Sequence, residues 1–504
     1  MQSKRSLSRR HVLRTVVAAG IGANATIVFA ACGEAQVVEK IVTVVKEVPV
    51  ERIVTQIVTE IIEKVVTHEV EVDKIVEKVV TVVAQAPQIE TQFVRYATDW
   101  NSGARHDTME AAQEEFGKQH PEIVINMEHA SRLNELVALS LAAGTGPDAM
   151  LGVGYRFAPL RDVGMFLEIT PLLQALEFRL DDYLYSQSNA NTIDGLWYGI
   201  PFQFAANSYH YSITMFEAGG VAAPPSDHAA GWTHLEIEEA AKRLTNIEAF
   251  QYGLTTGHAI DGMYGDIALP WIGTVDWWAD PPVFTRSNFE DEGTLAAWEW
   301  FVSLAQDSKV VPTGAVIQSL RSSSTTNPFQ AGFVAMSRGG VAAGAAERTI
   351  RDTFKWGVMG LPRPAHVDLR RAGSNNRPNW VNALVQERGI AEATVKWCIF
   401  CAGAFVGERT AQDRGSIPDL RQIAYGDVFM RDPPLNQAAN TWVLDNHQSY
   451  QQGWVPNWIN HYRAWDTALA LGWNGEATAE ESWTEGRERA ALALIEGTPP
   501  GLPD

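Results

Sequence analysis

Phe93-Val-Arg-Tyr-Ala97, Ile123-Val-Ile-Asn-Met127 and Ala149-Met-Leu-Gly-Val153 decide the fold. Each is a short apolar run of strand composition, and helical patterns separate them. Between the first two, Met109, Ala112 and Phe116 recur at helical spacing until Gly117 and Pro121 end the run. Between the second and third, Leu133, Leu136, Val137 and Leu141 mark a helix over 133–143, stopped at Gly144 and followed by Gly146-Pro147-Asp148. Strand–helix–strand–helix–strand predicts right-handed crossovers and a parallel sheet covered by helices, an α/β class. Ligands of such sheets sit at the carboxyl ends of the strands. That edge is expected to carry Thr98-Asp99-Trp100-Asn101 and Gly154-Tyr155-Arg156.

Upstream of this unit the composition changes. All 17 tryptophans and all 12 tyrosines follow Pro87. The stretch 37–83 is almost entirely Val, Ile, Glu, Lys and Thr, and Glu39-Lys-Ile-Val-Thr43 recurs as Glu51-Arg-Ile-Val-Thr55 and Glu63-Lys-Val-Val-Thr67. Apolar pairs such as Ile53/Val54, Ile57/Val58 and Ile61/Ile62 repeat every four residues, near a helical turn and far from the period of a strand. An extended helical stalk over 32–90, able to self-associate, is the expectation. The β-branched content and Pro49 argue for the alternative, a disordered spacer.

The first 31 residues read as a signal. Ser8-Arg-Arg-His-Val-Leu-Arg14 looks like a twin-arginine export motif, and the apolar run at 16–31 is too short to span a membrane. Phe29-Ala-Ala-Cys32 looks like a lipobox, which makes Cys32 the expected site of lipid attachment; a plain cleaved signal with an incidental cysteine is the alternative. Removing residues 1–31 takes away five basic and no acidic side chains, so the formal charge moves from −20 to −25. Such a surface disfavours nucleic acid and anionic headgroups. The globular part, 91–504, exceeds what one hydrophobic core usually supports and implies two lobes.

Besides Cys32 the chain has only Cys398 and Cys401, in an apolar helical stretch at 392–406. Two sulfurs on one helical face are half of a zinc site at most, and no second pair exists. Core packing is the first reading; a local disulfide and redox or metal chemistry are the alternatives.

Several later segments carry a resemblance. Leu136-Val-Ala-Leu-Ser-Leu-Ala-Ala-Gly-Thr-Gly-Pro-Asp-Ala-Met150, Gly164-Met-Phe-Leu-Glu-Ile-Thr-Pro171, Asp194-Gly-Leu-Trp-Tyr-Gly-Ile-Pro201, Trp232-Thr233 with Ala240-Ala-Lys-Arg-Leu244, Asn327-Pro-Phe-Gln-Ala-Gly-Phe-Val-Ala-Met336 and Trp356-Gly-Val-Met-Gly-Leu-Pro362 stand in this order. Together, from about residue 92 to 497, they resemble the sugar-binding, maltose-binding-protein-like type of extracellular solute-binding protein, the capture component of an ABC importer. Two stretches depart from the pattern: Asn379-Trp-Val-Asn-Ala383, where glycines are usual, and Ile272-Gly-Thr-Val-Asp-Trp-Trp278.

The resemblance implies a two-lobe, type II periplasmic-binding-protein-like fold, with lobe 1 near 91–205 and 380–414 and lobe 2 near 206–379 and 415–504. Crossovers are expected near 201–211, near 379–386 and after about Arg414. A small solute would bind in the interlobe cleft, and closure would present a surface to permease subunits. No cofactor, metal or catalysis is implied, and the protein would work on the outer face of the cytoplasmic membrane.

A neutral sugar has apolar C–H faces and a ring of hydroxyls, so it is held by aromatic rings together with acids, amides and arginines. Trp100, Tyr155, Gln203, Asp276, Trp277, Asn379 and Trp380 are the expected ligand contacts. Trp298, Trp300 and Trp397 fall on helical faces and are assigned to packing. Two other classes stay open. Carboxylates at Asp276/Asp280 and Glu290/Asp291/Glu292 could serve a glycoside hydrolase, and a cell-surface lectin or adhesin would need no transporter. Gly-x-Ser-x-Gly, His-Glu-x-x-His, a phosphate loop and a dinucleotide fingerprint are absent.

Overall fold

The computed structural model describes residues 90–496 except for some segments, the longest being 153–159, 185–191, 257–291, 366–373 and 447–457. The export signal, Cys32 and the stalk lie outside the described residues, as do Tyr155, Asp276 and Trp277.

The described strands are β1 (Gln92–Thr98), β2 (Ile123–His129), β3 (Ala149–Leu151), a small hairpin of β4 (Thr192–Ile193) and β5 (Leu196–Trp197), then β6 (Gly199–Ala206), β7 (Ser208–Ser212), β8 (Tyr252–Thr255), β9 (Val334–Gly339), β10 (Trp356–Met359) and β11 (Ser374–Val381). They build two main sheets, ordered β2-β1-β3-β11-β6 and β10-β7-β9-β8. The longer helices around them are α1 (Gly103–Gln119), α2 (Leu133–Ala142), α3 (His234–Leu244), α4 (Glu292–Gln306), α5 (Ala343–Ile350), α6 (Ala391–Ala402), α7 (Ala404–Asp413), α8 (Trp458–Trp473) and α9 (Ala479–Glu496). Among the described residues no helix is long and apolar enough to cross a membrane.

The expected parallel sheet is mixed. β1 runs parallel to β2 and β3, but β11 runs antiparallel to β3 and β6. The reason is connectivity: β11 follows β10 of the second sheet, so it enters the first sheet from the edge where β3 ends. The lobe boundary expected at 379/380 therefore cuts through a strand, since all of β11 from Ser374 pairs in the first sheet. The chain also passes directly from β6 in the first sheet to β7 in the second. After α7 it returns once more, reaching the second sheet where Val358 donates its N–H to the Leu435 carbonyl at 2.8 Å.

Each sheet has its own core. Tyr96, Met109, Phe116 and Trp397 are fully buried around the first, and Tyr209, Leu254, Trp298, Phe301 and Trp465 around the second. The buried face of α1 is Thr108, Met109, Ala112 and Phe116, the spacing of one helical stripe. Helix α3 starts on a capping box: Thr233 N–H donates to Glu236 Oε2 at 2.7 Å and Glu236 N–H donates to Thr233 Oγ1 at 3.3 Å. Against that helix lies Gly253 of β8, where a Cβ would stand 2.1 Å from the Ala241 carbonyl oxygen. Trp298 and Trp397 are core residues, while the half-buried Trp300 donates its indole N–H to Glu238 at 2.8 Å. Cys398 and Cys401 are free and buried in α6, and burial pushes both thiols up. Of the three readings of this pair, the structure matches core packing.

Candidate functional site

The two sheets direct the same kind of edge at the crossover between them. β1 and β3 end at Thr98 and Leu151, and β8 and β9 end at Thr255 and Gly339. The link from β6 to β7 lies beside these ends, because Ser208 pairs with Gly339 and Ala206 pairs with Ser374 at the start of β11. Carboxyl ends of strands are where open α/β sheets hold ligands.

On this edge the loop after β1 carries Asp99 and Trp100. The Arg377 guanidinium reaches Asp99 Oδ2 at 2.7 Å. Asp99 Oδ1 is buried and accepts no hydrogen bond among the described residues. Across the ladder from Arg377 stands Gln203 of β6. Arg105, in the first turn of α1, lies over the Trp100 ring at 5.3 Å and donates to the Gly415 carbonyl at 2.7 Å and Ser416 Oγ at 3.2 Å. Burial pulls the Arg105 guanidinium below its usual range; the like charge of Arg377 adds to this, and Asp99 opposes it. Among the described residues the edge thus gathers Arg105, Arg377 and Asp99, with Asp413 also acting on Arg105 and with Asp99 Oδ1 left over. A ladder irregularity falls between Arg377 and Asn379, at Pro378, which has no N–H to give.

Residues 111–437 match the family described as bacterial extracellular solute-binding protein. The chain belongs to that family. Its members are binding proteins, and their extracellular setting makes this an exported chain.

Solved structures agree on the fold of this solute-binding protein. An ABC substrate-binding protein from Listeria monocytogenes in complex with cycloalternan superposes with a TM-score of 0.66 at 18% identity, covering 81% of this chain and 100% of that one. The GacH receptor of Streptomyces glaucescens, solved unliganded and with acarbose, gives 0.64 at 16%, covering 81% and 100%. The maltose/maltodextrin-binding domain MalE of Bdellovibrio bacteriovorus, bound to maltotriose, gives 0.61 at 14%, covering 80% and 100%. No curated protein sequence matches the chain.

The expected contacts of the solute-binding protein divide into three groups. Gln203 lies on the crossover strand, opposite Arg377. Tyr155, Asp276 and Trp277 lie outside the described residues. Trp100, Asn379 and Trp380 are buried, with 3%, 0% and 1% exposure, and each is engaged by other groups of the protein. Trp100 is packed on Phe202 at 4.8 Å and covered by Arg105. Asn379 and Trp380 occupy β11 between β3 and β6, where both faces of the sheet are covered. Asn379 Oδ1 accepts from the Tyr96 hydroxyl at 2.6 Å, and its amide donates to the Cys398 carbonyl at 3.5 Å. Trp380 packs on Phe166 at 4.8 Å and donates its indole N–H to the Gly152 carbonyl at 3.4 Å.

The sequence placed Asp99 only in the loop at the carboxyl edge and gave no place to Arg377. The signal was position: Arg377 stands two residues before the expected contact Asn379, on the strand that carries it.

A groove of about 810 Å³ lies elsewhere, at the amino end of β8 among Lys242, Arg243, Asn246 and Gln251. It is remote from the carboxyl edge and belongs to no sheet-end ligand site.

Proposed function

We propose that this protein is the capture component of an ABC-type importer, taking a carbohydrate-like small solute between its lobes and handing it to permease subunits. The observation that carries the reading is the buried, unused Asp99 Oδ1 beside the Arg377 pair at the crossover edge. A carboxylate oxygen already fixed by an arginine is a ready acceptor for a ligand hydroxyl, and such charge-assisted bonds are the stronger ones. Three structural neighbours hold cycloalternan, acarbose and maltotriose, which supports a carbohydrate class. Gln203, Tyr155, Asp276 and Trp277 are proposed contacts together with Asp99 and Arg377; Trp100, Asn379 and Trp380, buried as they are, would reach the solute only where the cleft opens onto them.

In this reading the twin-arginine signal exports the chain, Cys32 receives lipid, and the protein stays on the outer face of the cytoplasmic membrane. It holds its ligand without turning it over. Ligand acts by shifting the population of open and closed arrangements, by as much as its differential affinity for them.

A thermal-shift screen of the full chain against mono- and oligosaccharides, polyols and amino acids tests this. A ligand at about 100 times its Kd stabilises the fold by about 2.7 kcal/mol, a readable rise in Tm. Sugar hits that leave no product after overnight incubation support the reading. Hits confined to amino acids, or product formed from a sugar, overturn it.

A further inference from the structure

The carboxyl edge of the first sheet carries a second group of side chains that the solute site does not use. His106 and Glu110 stand four residues apart on α1, so they share one face of the helix. His129 is the last residue of β2, the edge strand of that sheet. One ring nitrogen from each histidine and one Glu110 carboxylate oxygen lie within 4.8 Å of one another. His129 Nε2 is 3.2 Å from Glu110 Oε1, and the two imidazoles meet edge to face at 4.7 Å. His106 Nδ1 is buried and makes no hydrogen bond among the described residues.

The backbone beneath these side chains is tied on each side. The pair Thr98 and His129 closes the β1–β2 ladder, and Ala130 N–H donates to the Thr98 carbonyl at 2.9 Å. Gln113 of α1 donates its side-chain amide to the Ile125 carbonyl at 2.7 Å, which holds the helix along β2. Asn101 donates to Ser131 Oγ at 2.9 Å and joins the loops that follow β1 and β2.

We propose that His106, Glu110 and His129 form a site for a divalent transition-metal ion of the zinc type, with solvent completing the coordination. Two imidazoles and one carboxylate are a zinc ligand set that leaves a position open. Calcium and magnesium ask for oxygen ligands instead. Sites of mixed nitrogen and oxygen follow the general affinity order of the first-row metals, so copper and nickel compete for this one. Metal–ligand distances of about 2.0–2.2 Å require the three groups to close in. Glu110 and His129 are exposed, and rotation of their side chains supplies that movement. A plain histidine–carboxylate pair with a ring contact predicts no metal dependence.

The test uses full-length protein stripped with a chelator and titrated with Zn²⁺ by calorimetry, with thermal unfolding alongside. One equivalent should bind, and Tm should rise with Zn²⁺ but not with Mg²⁺. X-ray absorption at the zinc edge should show two imidazole ligands. His106→Ala and His129→Ala should each weaken binding by more than about tenfold, and the isosteric Glu110→Gln should weaken it too. Circular dichroism and Tm of the metal-free variants separate lost ligation from lost folding. Zinc binding left intact in the His106→Ala/His129→Ala double variant would assign the ion to another histidine and overturn the site. Absence of saturable binding to the unsubstituted protein would overturn it equally.

Discussion

Arg377, on a strand that arrives from the second sheet, holds the carboxylate of Asp99, at the tip of β1 in the first, at 2.7 Å. The two side chains are only 12% and 29% exposed, so the pair is largely shielded from water and salt. It fixes one carboxylate oxygen, while the other, Oδ1, accepts no hydrogen bond among the described residues.

Asp99→Ala should weaken binding of the captured sugar by more than about tenfold, because a hydrogen bond to a charged group contributes roughly 1.5–3 kcal/mol. It should also lower stability by about 1–3 kcal/mol, since the ion pair to Arg377 is lost. Calorimetric titration and urea unfolding read the two effects separately. Lowered stability with unchanged affinity would make the pair a clamp on the crossover strand and nothing more.

Trp380→Ala should cost about 3–5 kcal/mol, the range for emptying a buried aromatic site. Trp380→Phe should lose less, because stacking on Phe166 survives. Ligand affinity of the folded fraction should stay within about threefold of the original by titration. A selective loss of affinity at unchanged stability would return Trp380 to the ligand site.

Gly253→Ala should destabilise the fold by at least about 2 kcal/mol, as overpacking does when backbone stands in the way. The new methyl would meet the Ala241 carbonyl of α3 at 2.1 Å, and neither element can give without parting from the other. Chemical denaturation decides it; a change under about 0.5 kcal/mol, the scale of an ordinary surface substitution, would mean α3 is not held tightly on the sheet.

His210 is buried beside Trp356 and Phe329, with ring centroids at 5.0 and 5.9 Å, and burial pulls its pKa down to about 4. An unfolded histidine titrates near 6.5. Between those values the unfolded chain takes up a proton that the folded chain refuses, so stability falls as pH drops from about 6.5 to about 4 and then levels for this residue. The slope from one such group approaches 1.4 kcal/mol per pH unit. His461, pulled down to about 3 by burial, extends the same trend. Urea melts across pH 7 to 4 should show a shallower fall for His210→Phe than for the unsubstituted protein. Parallel curves would mean that His210 is protonated inside the fold.

What could be read in the sequence was what period and punctuation encode. Met109, Ala112 and Phe116 announced the buried stripe of α1, and Gly144 marked the end of α2 within two residues. The apolar context of Cys398 and Cys401 told core from chemistry. Residue type alone could not place Asn379 and Trp380. A strand in the middle of a covered sheet is buried on both faces, so a period of two cannot say which side meets a ligand. Asn379 also looked like a ligand amide because its partners, Tyr96 and Cys398, lie far away in sequence or on another element. The Arg377–Asp99 pair spans 278 positions, and no local pattern announces such a contact. His106 and Glu110 share a helical face, but their meeting with His129 depends on where β2 ends.

The paired crossover strands have a mechanical consequence. Ser374 to Arg377 of β11 lie hydrogen-bonded in register against Ala206 to Gln203 of β6, so two of the passages between sheets form one ribbon rather than two loose cords. A ribbon of this kind flexes across its flat face at little cost. Sliding one strand along the other breaks ladder bonds, so it is stiff edgewise. Sheets joined by such a flexure swing along an arc rather than wander in all directions. The search for the closed arrangement then runs along a single coordinate, already aimed before any solute arrives.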